Sequence, residues 1–368
     1  MGRGYLTIAI IGIGAAIAVV AALLLMGMPG QDVTPDDPGE TFDVKCPEGV
    51  TFDADTGTLM SEDEITWNVT DMLVPFETSE GKRAPSETVG KELKLEPGYY
   101  KVVAGDSDPF DVAIAGKKTV TASWEYYDGE GIRDVQVSYD ISYIELAKTM
   151  IENSEWNIYG TRYFDNLPKI VVVDDTVRSI ESQLSERYEE MGGSKEDRQA
   201  YADFLVSFAQ MTIAYPKQVS GHSGEYDYGI WGVKEYWARP LETLFFGIGD
   251  CEDSSALACA LFKAAGFKTA MVGVPGHVTA GLVLETFTPR DISEYKDYCE
   301  GYSSMTEAAG YAVADSGKTG DYYHGVDTIR KQVPVGYMLK GHVQSFGKTV
   351  MNWETMIPYG TAGFYPVD

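Results

Sequence analysis

Hydrophobic and polar positions change their rhythm along this 368-residue chain. Leu6 to Met28 is an apolar run with no charged side chain, long enough to span a bilayer. From Phe42 to about Ser123, short β-prone runs such as Ile65-Thr66-Trp67-Asn68-Val69 and Tyr99-Tyr100-Lys101-Val102-Val103 alternate with turn residues at Glu96-Pro97-Gly98 and Ala115-Gly116-Lys117. That spacing predicts a small antiparallel sandwich over 42–123. Beyond it the period lengthens. Helices are predicted over Tyr143–Asn153, over Asp175–Met191 on the apolar spacing of Val177, Ile180 and Leu184, and over Asp197–Met211, with a strand over Lys169–Asp174.

The next stretch carries the candidate chemistry. Asp250 is a good N-cap, Glu252 and Asp253 put acids in a first turn, and Ala256, Leu257, Cys259, Ala260, Leu261 and Ala264 supply an apolar face before Gly266. Strands are predicted over Lys268–Val274 and, after the Pro275-Gly276 turn, over His277–Leu284. Cys251 thus opens a helix and His277 opens a strand one element later, the order that a thiol nucleophile and its base need. Unpaired N–H groups at a helix start favour negative charge and lower a thiol's pKa. Spacing alone leaves the matter open, because Cys and His are also ordinary core residues.

The block Tyr236-Trp237-Ala238-Arg239-Pro240-Leu241-Glu242-Thr243-Leu244, then Gly249-Asp250-Cys251-Glu252-Asp253-Ser254-Ser255, then Pro275-Gly276-His277 with Ala280-Gly281, resembles the transglutaminase-like cysteine peptidase superfamily, in particular its membrane-anchored archaeal and bacterial members. Upstream, Trp124-Glu125-Tyr126-Tyr127-Asp128-Gly129 with Val135–Tyr139 resembles the strand pair that introduces that domain, and Phe204 to Tyr215 the helix before the site. The resemblance implies an α+β papain-like core over 124–368 and a Cys-His-acid triad of Cys251, His277 and Glu354, the last from the Trp353-Glu354-Thr355-Met356 segment. It also implies hydrolysis of an amide or isopeptide bond through a thioester, with acyl transfer to a second amine using the same residues. Gln210 is placed to donate to an oxyanion, as a glutamine does in papain-like sites, although the backbone N–H of Cys251 is the more economical donor. Glu252 and Asp253 are expected to act structurally, by capping. Glu354 lies far downstream of His277, which makes the polar, tyrosine-rich interval of about 286–347 an insertion forming a lid or subdomain. Within it Asp321–His324 and Gly341-His342 are candidates for substrate contact. Asp327 is the leading substitute for Glu354 if the interval folds back, and Asp368 a weaker one.

Composition sets the location. With Arg3 ahead of the apolar run and Pro29-Gly30-Gln31-Asp32 after it, 1–28 is expected to be an uncleaved anchor and 29–41 an acidic Pro/Gly stalk. The positive-inside rule then puts the following domains outside the cell. A net charge of −27 disfavours nucleic acid and anionic headgroups as partners. A protein or cell-envelope peptide remains as substrate. Cys251 and Cys259 lie about 12 Å apart along one helix, too far for a disulfide; Cys46 and Cys299 are left with a possible bridge. No CxxC or HxxxH spacing marks a metal, so a site built on Cys251, Asp253 and His277 is a remote alternative, and no cofactor is expected. The other alternative is a catalytically silent surface module that binds protein or envelope polymer.

Overall fold

The computed structural model describes residues 41–368 apart from 79–80, 314–319 and 353–355. It is a mixed α+β chain whose sheets are antiparallel. Strands β1 (Val50–Asp53), β2 (Thr58–Asp71), β3 (Ser86–Lys94), β4 (Gly98–Ala104) and β5 (Phe110–Ile114) form one sheet in the order β1–β2–β4–β5, with β3 also on β2. The pairing of β2 with β3 shifts register between Met60 and Ile65. A bulge of this kind bends a long strand. Leu59, Trp67, Val102 and Val112 are buried in one cluster, so the alternating runs turn their apolar residues onto one core.

Strands β6 (Lys117–Tyr127) and β7 (Ile132–Ser142) make a long hairpin. The period-2 positions Trp124, Tyr126, Val135, Val137, Tyr139 and Ile141 are buried. Strand β6 runs through position 123, so the expected domain boundary falls inside a strand. Trp124 meets Phe208 edge-on at 5.6 Å and donates its indole N–H to Ser207 at 3.1 Å, which fixes the hairpin to the helices. Helices α1 (Tyr143–Gly160), α2 (Asp175–Glu190) and α3 (Arg198–Thr212) are each capped by a side chain, Ser142, Asp174 and Asp197 respectively. Lys169–Asp174 is not a strand. A 3₁₀ helix covers Phe164–Ile170 with Pro168 inside it, no strand pairs with the residues that follow, and Asp174 serves instead as the cap of α2.

Helices α4 (Pro240–Phe246) and α5 (Cys251–Ala264) lead into strands β8 (Thr269–Val274) and β9 (His277–Leu282). With β10 (Ala309–Tyr311), β11 (Tyr322–Val326) and β12 (Gly363–Pro366) these form a five-stranded sheet in the order β10–β11–β9–β8–β12. Every residue of β8 and β9 is buried, which explains their near-continuous apolar sequence. Pro275 and Gly276 join them, and Gly276 takes φ +70°. The interval expected to be an insertion therefore supplies two strands of the sheet, and β11 lies directly against the strand of His277. A short helix, α6 (Lys340–Val343), follows it.

Among the described residues no helix is long and apolar enough to cross a membrane; the Leu6–Met28 run lies outside them. All four cysteines are free, so Cys46 and Cys299 are unbridged.

Candidate functional site

The start of α5 is built from buried acids. Asp250 and Asp253 form a capping box, with the Asp250 N–H donating to Asp253 Oδ2 at 3.4 Å. The other Asp253 oxygen accepts from Ala238 N–H at 2.7 Å. That bond belongs to a series. Tyr236 N–H donates to Asp227 at 2.7 Å, Trp237 N–H to Asn157 at 2.8 Å, and Arg239 N–H to Glu242 at 2.7 Å. Four consecutive backbone donors, with no neighbouring strand to take them, are thus satisfied by four buried side chains. The Tyr236–Arg239 block is a strap that holds the start of α5 in place. Asp253 is consequently structural, as its sequence context suggests.

His277 sits beside Asp327, the residue immediately after β11, with Nε2 3.6 Å from Asp327 Oδ1. Both side chains are buried. The Ile329 N–H donates to Asp327 Oδ1 at 3.2 Å, and Gln210 holds the same loop from behind. Gln210 Nε2 donates to the Asp327 carbonyl at 2.8 Å and the Val333 carbonyl at 2.9 Å. Both amide protons are used there, so the expected oxyanion role for Gln210 gives way to support of the acid loop. Ser255 ties the three segments together. Its hydroxyl bonds to the Cys251 carbonyl, to the Val278 carbonyl at 3.3 Å and to the Thr328 hydroxyl at 2.8 Å. The turn after Cys251, the residue after His277 and the residue after Asp327 therefore meet at one side chain.

The charge environment differs from a simple helix-start thiol. Burial and the adjacent Asp250 carboxylate push the Cys251 thiol up, against hydrogen bonding with Glu252 and the Val278 backbone. The S–H donates to Glu252 Oε2 at 3.0 Å. That shift is opposite in direction to the one the helix position alone predicts. Burial likewise raises Asp227, Glu252 and Asp253 well above the carboxylate range, Asp250 to about 6 and Glu242 to about 7. Asp327 moves the other way: burial pushes it up, but the contact with His277 and the Ile329 N–H hold it below its ordinary value. Asp227, Asp250 and Asp253 offer oxygens within 4.8 Å of one another, a donor set of the type hard cations take. His277, Asp327 and His342 form a second, nitrogen-rich group within the same distance.

Of the sequence-named residues, the fold gathers Cys251, His277 and Asp253 around the α5 start and the β8–β9 hairpin. Glu354 lies outside the described residues. The acid that faces His277 among the described residues is Asp327. Trp237 is fully buried, and Trp231 stacks on Tyr236 at 4.1 Å. His324 is buried and stacks on Phe287 at 4.3 Å, which removes it from substrate contact, whereas His342 lies over the His277 ring with centroids 4.5 Å apart. Sequence reading missed Ser255 and Thr328. Their only signal is position, one helical turn after the thiol and one residue after the acid. Comparison of the chain with family models, with curated proteins and with solved structures gives no match to any of them.

Proposed function

We propose that this chain is a transglutaminase-like thiol hydrolase of amide or isopeptide bonds, with Cys251 as nucleophile, His277 as base and Asp327 as the acid that orients the imidazole. The observation that carries it is the buried Asp327 carboxylate beside His277 Nε2. That contact leaves Nδ1 as the nitrogen for the thiol proton. His277 removes the proton of Cys251 as the sulfur attacks the amide carbonyl, then delivers it to the leaving amine. The Cys251 N–H at the start of α5 is placed to receive the oxyanion. Water resolves the thioester with His277 again as base. In place of Glu354, the acid role passes to Asp327.

The test is labelling with a peptide-derived thiol electrophile, read by intact mass. Modification maps to Cys251, is absent in Cys251→Ala, and slows about 100-fold or more in His277→Ala. The second reading, a silent binding module, draws on the S–H bond to Glu252 and the raised thiol. Labelling spread over Cys46 and Cys251, and indifferent to His277, would establish that reading instead.

The proposed setting is extracytoplasmic, with Leu6–Met28 as a single-pass anchor and protein or envelope peptide as substrate. Protease added to intact cells then degrades the domains beyond residue 41. Their protection would overturn this topology.

A further inference from the structure

Three polar atoms without hydrogen-bond partners crowd one place. His277 Nε2, Asp327 Oδ2 and His342 Nδ1 are all buried and unpaired. The three side chains belong to separate elements, the first residue of β9, the residue after β11 and the middle of α6, and their ligand atoms lie within 4.8 Å of one another. Unpaired buried polar atoms are costly, and three in one cluster point to a missing partner.

The spacing says what kind. His277 Nε2 and Asp327 Oδ1 are 3.6 Å apart, beyond the 2.7–3.2 Å or so of an N–H···O bond. Two ligands on a tetrahedral zinc, with bonds of about 2.0–2.1 Å, sit about 3.4 Å apart. Ring centroids lie about 3.2 Å from such an ion, so two imidazoles at the tetrahedral angle have centroids about 5.2 Å apart, closing to about 4.5 Å if the angle narrows to about 90°. The His277 and His342 rings are separated by 4.5 Å. Two imidazoles and a carboxylate are the donors that zinc takes with a fourth position left to water.

We infer that His277, Asp327 and His342 form a binding site for one zinc-class divalent ion, which holds the thiol site inactive. The inhibition rests on the proposed hydrolase reading; the binding does not. An imidazole that gives its Nε2 lone pair to a metal carries its proton on Nδ1. It then has no lone pair for the thiol proton of Cys251, and Asp327 is withdrawn from its orienting contact.

Equilibrium dialysis of the full-length chain against zinc, with excess magnesium to occupy all-oxygen sites, tests the site directly. Wild type and Cys251→Ala each bind one zinc with equal affinity, while His342→Gln and Asp327→Asn weaken binding at least 30-fold. His342→Phe, which keeps a ring over His277, gives the same loss if His342→Gln fails to fold. With cobalt in place of zinc, visible d–d bands appear without a thiolate charge-transfer band. Loss of binding in Cys251→Ala, unchanged binding in both His342 variants, or no bound zinc would each overturn the site. Zinc bound as described but without effect on Cys251 labelling would sink the hydrolase reading and leave the site standing.

Discussion

Asp327→Asn slows electrophile labelling of Cys251 by roughly 100-fold or more, while Glu354→Gln leaves it unchanged. The reason is the buried contact with His277. A negative charge 3.6 Å from Nε2 favours the proton on that nitrogen, keeps the lone pair on Nδ1 and stabilises the imidazolium once the proton has moved. An asparagine of the same shape offers no charge and can present its amide protons to Nε2, which favours the wrong tautomer. The effect is large because the resting thiol is raised by burial and by Asp250, so the base is needed for each attack. A slow Glu354→Gln with a normal Asp327→Asn would return the role to the residue the family motif suggests.

Asp253→Ala lowers stability by about 3 kcal/mol, and Asp253→Asn costs far less. Asp253 is fully buried and accepts from Ala238 and Asp250 N–H groups, so alanine orphans two buried donors at about 1–3 kcal/mol each. Removing an acid from a crowd of acids would also relieve repulsion. That gain is small here because burial, then Asp250, already raise Asp253 well above the carboxylate range, which weakens its charge. Asparagine keeps an acceptor oxygen for the short Ala238 bond and gives up only the longer one from Asp250, which makes the pair of variants diagnostic. Thermal unfolding reads the difference as a drop of several degrees for alanine and a smaller one for asparagine. Equal midpoints for wild type and Asp253→Ala would remove the strap account.

Local patterning made much of this legible. The α5 start, its capping acids and the β8–β9 hairpin follow from cap chemistry, apolar spacing and the Pro-Gly turn, all of which act within a few residues. Strand β11 did not announce itself. It is five residues long, carries Tyr322, Tyr323 and His324, and owes its strand character to pairing with β9, whose residues precede it by some forty positions. Asp327 was for that reason second to Glu354 in sequence, although it is the residue that β11 delivers to His277. Gln210 was assigned to an oxyanion because the carbonyls it holds lie 117 and 123 residues away. The direction of the thiol's shift was hidden for a similar reason. A helix start lowers a thiol locally, but the acids that crowd this one include Glu235 from a different segment, and burial outweighs the helix.

The central claim is that Asp327 acts on Cys251 through His277. Labelling rates of Cys251 in His277→Ala, Asp327→Asn and the double variant test it most directly, because residues that work as a unit give non-additive losses. The account predicts that the double variant labels at the rate of His277→Ala alone. A double variant slower by the product of the two single effects would contradict it.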